Sequence, residues 1–242
     1  MKLTPSTALR ASKVKGKVFG FSVLFFFIPI VTSSAQSPKE TDAGAVFSFE
    51  LEKGYSRFFS LSVEEEVRLI TNGTGFDRSA TSLGTDCALL NGRLKTGVYY
   101  AFLYTYNNDK QYEMRHRAYV NVLYRETFGA FTLSWRGRMQ GTYRDKNRKA
   151  YRINPKYVLK NRFQVGYAIW GSPWTPFLSC ELSHDLNDPE SNAPTRIRYQ
   201  GGVSRRLNRT NRLDFFIRFD RHTSKKDPDG IFAGVEYKIK LN

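Results

Sequence analysis

A two-residue alternation of apolar and polar side chains constrains this chain more than any other feature. Around Phe131, the residues Phe131, Leu133, Trp135, Gly137 and Met139 fall on one face, while Thr132, Ser134, Arg136, Arg138 and Gln140 fall on the other. Further on, Ile197, Tyr199, Gly201 and Val203 oppose Arg196, Arg198, Gln200 and Ser204. Leu213, Phe215, Ile217 and Phe219 oppose Arg212, Asp214, Arg218 and Asp220. Successive side chains of a strand point to opposite faces, so each segment reads as a strand with one greasy and one charged face. From Gly44 to Asn242 no segment shows a convincing 3.6-residue apolar period, which predicts an all-β chain.

Strands are expected over 45–53, 57–70, 78–90, 93–106, 113–126, 129–143, 156–169, 174–186, 195–207, 211–223 and 230–241. Most are far longer than the roughly five or six residues usual in soluble sheets. Their connections alternate in length. Short turns fall at Lys53 to Ser56, Asn91-Gly92, Thr127-Phe128, Trp170 to Pro173 and Asn208 to Thr210. Longer polar loops fall at Thr71 to Asp77, Asn107 to Tyr112, Asp145 to Arg152, Asn187 to Pro194 and Ser224 to Asp229. Long strands with turns at one end and loops at the other describe a transmembrane antiparallel up-and-down β-barrel. Bacterial single-chain barrels have even strand numbers. The range is therefore 10–12 strands: ten if 45–53 is only partial, or twelve, the favoured count, if Asp145 to Ile169 hides another crossing.

Four features place lipid rather than water against the apolar face. Residues 1–35 read as a signal peptide: Lys2, Arg10, Lys13, Lys15 and Lys17 precede the apolar run Val18 to Val31, and Ser33-Ser34-Ala35 suits cleavage. Residues 36–43 then form a short linker and 44–242 the barrel. Strand length suits a tilted bilayer crossing of about 9 to 11 residues plus rims. Tyr55, Phe58, Phe59, Phe128, Trp170 and Trp174 lie beside short turns, and Tyr104, Tyr106 and Tyr112 beside a long loop, as two interfacial girdles would require. Finally, Gly234 to Leu241, with alternating Tyr237, Ile239 and Leu241, resembles the terminal signal by which outer-membrane barrels engage their assembly machinery, although it lacks the usual final Phe.

Several segments carry a family resemblance: Leu61 to Leu69 with its Glu64-Glu65-Glu66 run, Met114-Arg115-His116-Arg117, Phe131 to Arg136, and Asn161-Arg162-Phe163. Together they resemble a domain-of-unknown-function family of Bacteroidetes-type outer-membrane barrels, over roughly residues 44 to 241. The resemblance implies fold and location and carries no reaction.

The net charge of +16 would ordinarily suggest nucleic acid or an anionic membrane surface. Removing the leader lowers it to +11. The remaining rings and bases segregate to opposite faces, which excludes the interleaved stacking surface that nucleic acid needs. With lipid outside, Glu64, Glu66, Arg68, Arg115, Arg117, Arg136, Arg138, Lys160 and Arg162 face the lumen. So do Glu181, Asp185, Arg196, Arg198, Asp214, Arg218, Asp220, Glu236 and Lys238. Two uses are open: a pairing network that stiffens the barrel, or a narrow pore or pocket favouring small anionic solutes, since bases outnumber acids there. Glu65 falls on the lipid-facing parity, out of pattern, unless a bulge or a rim position accounts for it.

An outer-membrane hydrolase is the alternative. Asp220 and His222 share the lumen parity near the long-loop end, with Asp185 nearby, loosely resembling the Asp/His rim of omptin-type proteases. No phosphate loop, cofactor motif or metal-ligand spacing is present. Cys87 and Cys180 fall on strands too far apart to pair, predicting free thiols. Asn72-Gly-Thr74 and Asn208-Arg-Thr210 match glycosylation sequons but read as turn chemistry.

Overall fold

The computed structural model describes residues 41–70, 75–106, 111–144, 154–188, 193–224 and 227–241. The expected leader and the Asn72 sequon lie outside them. The described chain forms eleven strands: β1 (Thr41–Gly54), β2 (Phe59–Ile70), β3 (Gly75–Leu89), β4 (Leu94–Tyr106), β5 (Tyr112–Phe128), β6 (Phe131–Arg144), β7 (Lys156–Tyr167), β8 (Trp174–Asp185), β9 (Arg196–Arg206), β10 (Asn211–His222) and β11 (Asp229–Leu241). The only helical piece among them is the 3-10 turn Leu90–Gly92, at the expected Asn-Gly position.

Each strand pairs antiparallel with its sequence neighbours, and β1 pairs in parallel with β11 to close the barrel. This corrects the expectation of twelve strands, all antiparallel. In an up-and-down meander of odd number the first and last strands run the same way, so only a parallel pair can close it. Closure removes both sheet edges, whose unpaired backbone groups would otherwise be exposed. The odd count also places Thr41 at the long-loop end and Leu241 at the short-turn end.

Boundaries shift locally. β1 begins at Thr41, so the last residues of the expected linker are strand. β5 continues through Phe128, which pairs with Phe131, and the turn is Gly129-Ala130 rather than Thr127-Phe128. At Asn208 the expected turn chemistry is visible: its Oδ1 accepts from the backbone N–H of Thr210 at 2.8 Å and of Asn211 at 2.7 Å.

Alternation sorts the side chains into two unlike surfaces. The outside carries Phe47, Val63, Leu83, Val98, Val120, Leu133, Met139, Phe163, Leu178 and Ile217, all exposed. Charges line the inside, together with a smaller apolar set, because a narrow barrel has to fill its own interior. Phe216 lies between Gly202 and Gly234 in register, and a Cβ at Gly234 would sit 2.2 Å from its ring. Val46, Phe177 and Phe232 complete that cluster. On the far wall Tyr99 covers Gly84 and stacks on Tyr119 with ring centroids 4.8 Å apart.

Candidate functional site

The interior is electrically divided. On β5, β6 and β7 every charged inward side chain except Glu113 is a base: Arg115, Arg117, Arg125, then Arg136, Arg138, Arg144, then Lys156, Lys160, Arg162. On β1, β2 and β3, Glu50, Glu52, Glu64, Glu66, Asp77 and Asp86 outnumber Arg68 and Arg78. A basic wall thus faces an acidic one across the lumen, a transverse field that would orient a charged guest.

Ion pairs line the inner wall in layers, most of them within a strand or between adjacent strands. Near the long-loop end Arg68 pairs with Asp77, Arg78 with Glu66, Arg115 with Glu113 at 2.7 Å and Lys156 with Asp185 at 2.6 Å. Further in, Arg136 meets Glu181 at 2.7 Å, and on the long-loop side of β10 Arg198 grips both oxygens of Asp220 at 2.6 and 2.9 Å. Arg218 and Arg196 stand 3.7 and 3.9 Å from the same carboxylate. Toward the short turns Lys95 bridges Glu52 and Asp86, both at 3.1 Å, Lys238 bridges Glu50 and Glu236 at 3.1 and 2.7 Å, and Arg212 holds Asp214 at 3.2 Å.

A cavity of about 750 Å³ occupies the long-loop half. Its lining reaches no deeper than the level of Glu64, Ser82, Ala101, Tyr119, Arg138, Lys160 and Arg198. Below that level lie the Tyr99–Tyr119 stack, anchored by a Tyr99 hydroxyl to Asp86 hydrogen bond of 2.5 Å, and the lower ion-pair layer. The cavity therefore lies on the long-loop side of the interior.

The structure brings the expected lumen residues onto one inner face but assigns them different partners. Arg117 donates to Thr142 Oγ1 at 3.0 Å, Arg162 to Gln164, and Arg138 to Asn121 Oδ1 at 2.8 Å while lying 4.2 Å over the Tyr119 ring. The three residues weighed for catalysis are spread among structural contacts. Asp220 directs both oxygens at Arg198, Asp185 meets Lys156 and Thr195, and His222 Nδ1 lies 2.7 Å from the Pro228 carbonyl oxygen. Among the described residues no group of three or more His, Cys, Asp or Glu side chains gathers as a metal site.

Several interior groups were missed by the sequence reading. Glu50, Glu52, Asp86, Lys95, Glu113, Arg144 and Lys156 follow from extending the same parity along their strands. Asp77 does not, because the register shifts between Arg68 and Leu69 and turns the phase of β3. The outward Glu65 is explained by its neighbours, since the hydroxyls of Ser79 and Thr81 both donate to its carboxylate. No bulge is needed there. Cys87 and Cys180 are free thiols.

No curated protein matches the chain. The family model described as "Protein of unknown function (DUF2490)" matches residues 44–229, which spans the barrel from early in β1 to the start of β11, and the chain belongs to that family.

Proposed function

We propose that this chain is an exported outer-membrane barrel of the Bacteroidetes type whose basic interior forms a cup for small anionic solutes, opening at the long-loop end. The observation that carries this reading is the inverted distribution of polarity. A water-soluble barrel keeps its apolar faces inward, whereas here Leu178 is 71% exposed and Ile217 65% exposed in mid-strand while Asp220 is 1% exposed inside. An apolar belt running round the barrel far exceeds the patches of a few hundred Å² that soluble monomers expose. The leader, the two aromatic girdles and the C-terminal strand as a handle for the assembly machinery support the same location. The odd strand number departs from the bacterial rule, but the parallel seam meets the physical requirement behind it, that no strand edge faces lipid.

Heat-modifiable migration on a denaturing gel tests the membrane barrel directly. The folded barrel should resist detergent until boiled and run differently before and after. Identical migration would argue for a water-soluble fold.

The cup also predicts an electrical result. Because the Lys95–Glu52 ion pair joins β4 to β1 and the Tyr99–Tyr119 stack projects inward below the cavity, planar bilayers holding the protein should show no steady single-channel current in molar KCl. A stable open channel with anion-selective reversal under a salt gradient would replace the cup with a through-pore.

A further inference from the structure

Four adjacent strands, β6 to β9, set Arg138, Lys160, Ser183 and Arg196 side by side. Arg138 is the register partner of Lys160, Lys160 of Ser183, and Ser183 of Arg196, and all four line the cavity. Like charges directly opposite one another on a ladder repel, and cations removed from bulk water need compensation. At most other interior bases a carboxylate supplies it, while Arg117 and Arg162 also have only neutral partners among the described residues. In this row carboxylates fall short. Among the described residues no carboxylate comes within ion-pair distance of Lys160 or Arg138, the latter having only Asn121 and the Tyr119 face. Arg196 reaches Glu181 and Asp220 only at 3.8 and 3.9 Å, and each of those acids is held closer by another arginine. Ser183 is 3% exposed, yet its Oγ has no hydrogen-bond partner, and neither has Arg196 Nε.

We propose that this row is a binding site for a phosphate-class oxyanion. Three cations and a hydroxyl donor on one wall match an acceptor with several oxygens and more than one negative charge. A halide offers no directional acceptors, and a monocarboxylate too few oxygens for two guanidiniums, an ammonium and a hydroxyl. The anion would relieve the Arg138–Lys160 repulsion and occupy the orphaned Ser183 and Arg196 donors. The cavity of about 750 Å³ exceeds what a bare ion fills, so the oxyanion can be free or the head of a larger solute. The site rests on the cup reading, since the anion enters through the long-loop mouth.

The test uses the full-length protein in detergent, first shown to be heat-modifiable. Its unfolding temperature is followed by tryptophan fluorescence in chloride, inorganic phosphate or glycerol 3-phosphate at matched ionic strength. The wild type should gain several degrees in phosphate over chloride, because a ligand that binds only the folded state stabilises it. A gain with inorganic phosphate identifies a free ion as sufficient; a gain with glycerol 3-phosphate alone assigns the oxyanion to a larger solute. Lys160→Met should unfold later than wild type in chloride, having lost the repulsion, and should no longer respond to phosphate. Ser183→Ala, which leaves the charges intact, should fold normally and respond less. No gain in the wild type with either anion, or an undiminished gain in both variants, overturns the site. A heat-modifiable barrel indifferent to phosphate removes the site and leaves the membrane reading standing, whereas a chain that is not heat-modifiable removes the membrane reading itself.

Discussion

Replacing Asp220 by alanine is expected to destabilise the barrel by about 3–5 kcal/mol, the cost of breaking a buried ion pair from one side. Asp220 is 1% exposed and is the shared partner of Arg198, Arg218 and Arg196. Its removal leaves three guanidiniums in one layer, and Glu181, which stands 3.8 and 3.9 Å from Arg196 and Arg198, is itself committed to Arg136 at 2.7 Å. Arg218 cannot retreat to water, being 3% exposed and lying 4.7 Å over the Phe232 ring. Adding Arg198→Met to the Asp220→Ala background should recover part of the loss, because it removes one uncompensated cation along with its lost partner. Equilibrium urea unfolding in lipid or detergent measures both. A loss below about 1 kcal/mol for the single variant would mean that the interior behaves like a hydrated surface, where ion pairs are worth little.

What the sequence reveals, and what it leaves hidden, divides along the same physical line. Alternation is local, so the strand spans and the inward parity of residues such as Arg136, Arg198 and Asp220 can be read directly from the chain. Partnership is not local. Parity puts Arg198 and Asp220 inside, but only the register of β9 against β10 makes them cross-strand neighbours. Strand count is likewise a property of closure. Eleven spans are visible in the alternation, and an even-number rule drawn from other barrels moved the expectation to twelve, whereas the parallel β1–β11 seam accommodates eleven. Phe177, Phe216 and Phe232 break the apolar-out pattern by lying inside. Their signal is the glycines on the same inner parity, Gly44, Gly202, Gly230 and Gly234, which mark where a ring needs a neighbour without a side chain. Asp77 stayed hidden because a register shift resets the phase that parity depends on.

Whether lipid or water meets the outer face is decided by placing a charge there. Ile217 is 65% exposed near the middle of β10, and its register partners Gly201 and Ala233 are small, so an arginine at this position clashes with nothing. Ile217→Arg should therefore be almost neutral in water, within about 0.5 kcal/mol as for ordinary surface changes. Against the middle of a bilayer the same substitution should cost about 2–4 kcal/mol, falling toward zero for residues at the rims. Glu65 shows what the native chain does with an outward charge: it surrounds the carboxylate with the Ser79 and Thr81 hydroxyls, which Ile217 lacks. The measurement is reversible urea unfolding in phospholipid vesicles, with Leu241→Arg at the short-turn rim as the depth control. A large penalty at Ile217 with a small one at Leu241 places the belt in hydrocarbon. Equal and small penalties at both positions would turn the outer face toward water or a partner protein, and the exposed Phe47, Phe163 and Leu178 would then need another cover.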